Sequence, residues 1–208
     1  DYTDVINQFR TVEQKMKDKK TGLYYHGYDA SKKMFWADEN GLSKNFWLRA
    51  TGWYLAAISD VTSYIDDKDI KAEFKGYLQH AIDSVLKYRD LETNMFYQVV
   101  NLGDKQGNYL ETSGSALIAY AILKGVNSGL LSEDYRAVGK SIFDGIYKNR
   151  FKEHDGEIEL GGICLVAGLG PENNLRRDGS FEYYISEPIV TTDAKGVAPF
   201  IMAYVELL

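Results

Sequence analysis

The chain contains one cysteine, Cys164, and three prolines in 208 residues. A lone thiol closes no internal bridge, so a disulfide scaffold is excluded. The scarcity of proline, with 26% charged residues, argues against long disordered segments. No apolar run approaches the ~20 residues a membrane-spanning helix needs. Basic residues are outnumbered, 24 Lys and Arg against 30 Asp and Glu, for a net charge of −6. A nucleic-acid binder would carry the opposite balance. Histidine is also sparse, at three residues, and no HExxH, CxxC or aspartate-rich calcium loop occurs. No metal or cofactor is therefore expected. Aromatic residues, in contrast, are abundant: 16 Tyr, 9 Phe and 3 Trp. Such rings build cores, and they also stack on sugar faces. The length and a 45% apolar content suit one packed domain.

Hydrophobic periodicity predicts two kinds of helix. Residues 4–17, 69–88 and 133–147 place apolar side chains at three-four spacing opposite clean polar faces, as outer helices do. Ser132 is the expected N-cap of the third. Segments 45–62, 114–127 and 195–208 are apolar around more of their circumference, which predicts inner helices buried on most sides. Long connections (18–43, 89–112, 149–193) alternate with short turns, placing every long connection at one end of the inner helices. Long loops on a helical scaffold are where binding and chemistry sit.

An internal repeat reinforces this order. DKKTGLYYH (18–26) and DLETNMFYQ (90–98) align 72 positions apart, with Gly22 opposite Asn94, two residues that tolerate a left-handed turn. The segment 149–193 holds the third position with a diverged sequence. The expected fold is all-α: an α/α toroid, present as an arc of three outer–inner pairs. A closed ring needs more pairs, so one side of the inner helices is left uncovered and self-association is expected.

The richest segment is 24–53, which holds all three Trp, His26 and Arg49. With Ser43 as N-cap, Phe46, Trp47 and Arg49 would occupy the first turns of the inner helix, and Arg49 would share a face with Trp53. A guanidinium beside an indole suits an anionic planar group, held bidentately while the ring stacks. The alternative is that Trp47 and Trp53 are core residues and Arg49 pairs with a structural Asp. His26 is either a polar ligand contact or a satisfied structural histidine. His80 and His154 lack partners at metal-ligand spacing, and GLGPEN (168–173) lacks the residues of a phosphate loop. Glu111 and the charged stretch 176–196 precede inner helices, either as solvated loops or as substrate contacts.

HGYD (26–29), WAD (36–38), FWLRATGW (46–53), ETSGSALIAYAILKG (111–125) and RDGSFEYYISEP…DAKG (177–196) occur in this order. Together they resemble the unsaturated rhamnogalacturonyl hydrolases of glycoside hydrolase family 105, relatives of the family 88 unsaturated glucuronyl hydrolases. The resemblance implies a six-hairpin (α/α)6 toroid. It also implies a reaction on pectin-derived oligosaccharides bearing a terminal 4,5-unsaturated uronic acid. An aspartic acid protonates the vinyl ether, water adds at C5, and the hemiketal collapses. By the same resemblance His26, Trp47, Arg49 and Trp53 are substrate-binding residues, with Arg49 holding the uronate carboxylate. Leu48 stands where the family usually has Gly. The family's general acid lies upstream of the helix at 4–17, and Asp1, Asp4 and Asp18 do not match its motif. The expectation is a C-terminal portion of one toroid domain, inactive alone, with an unsaturated oligosaccharide as partner, neither nucleic acid nor membrane, and the compartment open. A non-catalytic carbohydrate-binding module and another α/α-toroid enzyme such as a sugar epimerase are the competing readings.

Overall fold

The computed structural model describes residues 2–208, His154 through its backbone only. Asp1, set aside above as a proton donor, lies outside the described residues, as does the His154 side chain. The helices are α1 (Thr3–Lys15), α2 (Leu48–Ser63), α3 (Lys68–Leu86), α4 (Thr112–Asn127), α5 (Asp134–Arg150), α6 (Phe181–Ser186) and α7 (Ala194–Val205). Four short strands, β1 (Phe151–His154), β2 (Glu157–Leu160), β3 (Ile163–Cys164) and β4 (Ile189–Val190), lie between α5 and α7.

Helix α4 is the centre of the arc. All its residues except Lys124 and Asn127 are buried, and it packs against α2, α5 and α7. Two glycines let α2 approach it closely. A Cβ on Gly52 would fall 2.7 Å from the Leu117 Cβ, and one on Gly114 would fall 2.4 Å from the Leu48 Cγ. Leu48 is fully buried in a space that Gly114 vacates.

The outer helices behave as their patterns predict. In α3, Phe74, Leu78, Ala81, Ile82 and Val85 form the buried stripe. Helix α1 has no buried residue and covers the core with half-buried Ile6, Phe9 and Val12. The expectation of three inner helices buried on most sides holds for α4 but not for α7, where only Gly196, Pro199 and Ala203 are buried. Helix α7 packs against α4, while its Ile201, Tyr204 and Val205 are each about half exposed.

The 72-residue repeat is reproduced bond for bond. Asp18 Oδ2 accepts from the Thr21 amide and hydroxyl at 2.8 and 2.6 Å. Asp90 Oδ2 accepts from Thr93 at the same two distances. Gly22 (φ +77°) and Asn94 (φ +61°) are left-handed. Each turn is closed by two backbone bonds, Gly22 to Asp18 and Asp18 to Leu23, and Asn94 to Asp90 and Asp90 to Met95.

Three local expectations are corrected. Helix α2 starts at Leu48, not 45, because Trp47 stays extended and bridges to Val99. Ser43 is not its cap. The Ser43 hydroxyl instead accepts from the Gly27 amide at 3.1 Å, clamping the HGYD segment. Ser132 likewise precedes the α5 cap position, which Glu133 occupies without a side-chain bond. The third long connection also contains regular structure. Phe151–Leu160 forms an antiparallel hairpin closed by Asp155 and Gly156, both at positive φ, as an Asp-Gly turn favours.

The long connections do gather at one end. Leu48 and Val100 amides bond to Gln98 and Phe46 carbonyls, joining the first two. Trp36 Nε1 donates to the Gly170 carbonyl and Asn45 Nδ2 to that of Gly179, joining the first and third. The Thr112 amide reaches the Gly162 carbonyl, joining the second and third.

Candidate functional site

At this loop-bearing end, three of the four predicted substrate-binding residues form one cluster. Trp47 is buried, and its Nε1 donates to Gln98 Oε1 at 3.1 Å. The half-buried His26 ring lies 4.7 Å from it, centroid to centroid. The Arg49 guanidinium lies 5.4 Å from the Trp47 ring. Tyr184, from α6, completes the group. Its ring stacks on Trp47 at an interplanar angle of 14°, and its hydroxyl lies 2.6 Å from His26 Nδ1. Sequence reading missed Tyr184 and Gln98, since nothing local to either marks a meeting across the long connections.

Arg49 faces inward. Its side chain is 3% exposed. Nε donates to Ser113 Oγ at 2.6 Å and Nη2 to the Cys164 carbonyl. Glu111 Oε1 lies 3.6 Å from Nη2. The acid paired with Arg49 is thus a glutamate, not the aspartate the structural alternative named. Glu111 is itself fully buried and caps α4, accepting from the Ser113 and Gly114 amides. It also accepts from the Cys164 amide at 3.0 Å and the Ser113 hydroxyl at 2.7 Å. Four hydrogen-bond donors and the Arg49 guanidinium surround its two oxygens without solvent. Glu111 therefore ties α2, α4 and β3 together and offers nothing to a ligand.

Trp53 faces outward. It is 49% exposed, one turn beyond Ala50, which lines a small cavity of about 100 Å³ with His26, Tyr25 and Tyr54. Of the predicted residues, then, His26 and Trp53 reach the surface while Trp47 and Arg49 lie beneath it. Burial lowers the His26 pKa to about 4, so the imidazole is neutral at neutral pH. With hydrogen on Nε2, it accepts from Tyr184 through Nδ1 and can donate to a ligand oxygen. Burial raises the Tyr184 pKa, keeping that hydroxyl protonated.

The aspartates of the motifs are used locally. Asp29 accepts from the amides of Ser31, Lys33 and Met34, and these donors lower its pKa to about 2. Burial alone would raise the carboxyl of Asp178, but Ser180 bonds outweigh it and the net shift is down. Asp193, which caps α7, is lowered by Lys195. Arg176 pairs with Glu187 at 2.9 Å and Glu182 with Lys105 at 3.1 Å. A carboxylic acid that must hold a proton needs the reverse shift, whereas Asp29, Asp178, Glu182 and Asp193 are all shifted down. Cys164 is buried and its thiol is pushed up by burial, so it is no nucleophile. His80 is exposed on α3, with its Nε2 3.4 Å from the Ser84 hydroxyl.

Comparison with known proteins decides the family. The sequence matches Glycosyl Hydrolase Family 88 over residues 1–208. The chain belongs to this family. A solved glycoside hydrolase of family 105 from C. acetobutylicum is 44% identical with a TM-score of 0.94, covering 99% of this chain but 57% of its own. Protein Atu3128 of Agrobacterium fabrum is 36% identical over 99% of this chain and 90% of its own length. The unsaturated rhamnogalacturonyl hydrolase YesR of Bacillus subtilis is 28% identical over 64% of this chain and 36% of its own. This family 88 chain thus spans just over half of the clostridial structure and most of the shorter Agrobacterium relative.

Proposed function

We propose that the chain forms one wall of the sugar site of a hydrolase that releases terminal 4,5-unsaturated uronic acids, and that it lacks the proton donor. Membership of family 88 and the likeness to YesR support the substrate class, with rhamnogalacturonan fragments as the specific case. The observation that carries the reading is the outward Trp53 indole, on the same helix end as the Trp47–Arg49 layer on which His26 rests. Trp53 offers a stacking face to the sugar ring. His26 donates a neutral hydrogen bond to a hydroxyl or carboxylate oxygen. Trp47 and Arg49 serve the subsite by fixing His26 and the start of α2. Protonation of the vinyl ether falls to a carboxylic acid outside this chain.

The test is titration of the 208-residue chain with an unsaturated uronyl disaccharide while following the double-bond absorbance. Expected are saturable binding, weakened about tenfold by Trp53→Ala, and constant absorbance. Loss of absorbance would place the acid within the chain. Absence of binding would remove the subsite.

A further inference from the structure

Two cavities flank the two copies of the repeated turn, and they differ in charge. The first, about 370 Å³, lies between the end of α1, the 18–22 turn and the end of α3. Lys17, Lys19, Lys20, Lys87 and His80 line it. The second, about 210 Å³, lies between the 90–94 turn and α5, and its charged lining residues are Glu92, Asp144 and Lys148. The two turns share the same hydrogen bonds at the same distances. Yet Lys19 and Lys20 of the first stand where the second has Leu91 and Glu92. The turn geometry therefore requires neither lysine.

The carboxylates of the first cavity are already engaged. Glu13 accepts from the Tyr54 hydroxyl at 2.8 Å, from that of Tyr24, and from Lys17 at 2.9 Å. Asp18 accepts from Thr21. Lys19, Lys20 and Lys87 are exposed and form no ion pair among the described residues. Four lysines against two carboxylates leave an excess of two positive charges, in a chain whose net charge is −6. Like charges around one cavity destabilise one another, and an anion between them removes that cost. The potential is felt at His80, whose pKa is lowered first by desolvation and then by Lys17. Lys87 acts in the same direction, against Glu13 and Asp83.

The lining also limits the ligand. No Tyr, Phe or Trp is among the described residues that line this cavity, so no such ring is offered to a sugar face. Lysine ammoniums are mobile point charges that serve phosphate well, without the planar bidentate capture that arginine performs. The volume lies at the small end of ligand sites, roughly 300–1,000 Å³.

We propose that the cavity between the 18–22 turn and α3 binds a dianionic phosphoryl group, free or as the monoester of a small polar molecule. This inference is independent of the sugar site at His26 and Trp53.

The experiment is calorimetric titration of the chain with inorganic phosphate, glucose 6-phosphate and trigalacturonate. Salt at about 0.15 M screens diffuse surface attraction. Saturable binding of either phosphate at one site per chain is expected, and the tighter of the two identifies free or esterified phosphate as the source. Lys19→Leu/Lys20→Glu, which installs the residues of the second turn, should weaken that binding roughly tenfold or more. Lys87→Met, on the opposite wall, should weaken it too. Lys68→Glu/Lys75→Leu makes the same change of net charge at exposed α3 positions outside the cavity and should leave it unchanged. In the parent chain the bound dianion should raise the His80 pKa, followed by proton NMR. No binding of either phosphate overturns the proposal. An equal loss in Lys68→Glu/Lys75→Leu overturns it as well. So does trigalacturonate binding that is tighter than both phosphates and abolished by Lys19→Leu/Lys20→Glu.

Discussion

The hydroxyl of Tyr184 and Nδ1 of His26 lie 2.6 Å apart although 158 residues separate them in sequence. This bond fastens the first long connection to the third across the face of Trp47. Tyr184→Phe removes the donor and leaves a half-buried ring nitrogen unpaired. The expected loss is about 1–2 kcal/mol of unfolding free energy, read as a lower urea midpoint at neutral pH with an unchanged slope.

The same histidine makes stability depend on pH in a defined window. Burial holds its folded-state pKa at about 4, below the ordinary histidine value of about 6.5. Between these values the unfolded chain binds a proton that the folded chain refuses. The contribution is therefore complete above pH 6.5, declines as pH falls through the window, and is gone by about pH 4. A shift of this size amounts to at most about 3 kcal/mol. Urea midpoints measured from pH 7 to 4.5 should fall in the parent chain and stay flatter in His26→Gln. The lowered carboxyls of Asp29 and Asp193 release their contributions at lower pH and do not mimic the effect. Equal slopes in parent and variant would show that His26 is not responsible.

Arg49 separates a structural role from a binding role. Its removal leaves Glu111 buried without its ion-pair partner. Arg49→Ala should cost about 3–5 kcal/mol of stability, the range for breaking one partner of a buried pair. The double variant Arg49→Met/Glu111→Gln removes both charges and should recover a substantial part. A side chain that served only the ligand would leave the thermal midpoint of the free protein unchanged.

The repeated turns, the three outer helices and the clustering of long connections were legible because each rests on a local pattern. An Asp-x-x-Thr turn followed by Gly or Asn has few alternatives, and three-four spacing identifies a helix face by itself. The start of α2 was less accessible. Ser43 has the chemistry of a cap, but the pairing of Trp47 with Val99 on another connection overrides it. Arg49 was readable as a site residue in kind but not in direction. Whether its guanidinium meets ligand or protein is decided by Ser113 and Glu111, which belong to a different helix end. The hairpin after α5 carried a readable Asp-Gly signal at residues 155–156, yet its strands are four residues long and are easily taken for loop.

The two equivalent turns should respond differently to the same substitution. Alanine in the left-handed region costs about 1–2 kcal/mol, so Asn94→Ala should lose roughly 1 kcal/mol, Asn itself being only partly adapted to it. Gly22→Ala meets the same conformational cost and a packing conflict, since the new Cβ would lie 2.2 Å from Ser84 Oγ and 2.9 Å from Ser84 Cβ. Ser84 is buried in α3, 2% exposed, and has no free direction in which to retreat. Gly22→Ala should therefore destabilise by about 3 kcal/mol or more, within the range for overpacking plus backbone strain. Adding Ser84→Gly should relieve the packing conflict and retain the strain, returning the loss toward that of Asn94→Ala after correction for Ser84→Gly alone. Chemical denaturation of the four variants checks this. Equal losses for Gly22→Ala and Asn94→Ala would mean that the contact between the first turn and α3 is looser than the geometry requires.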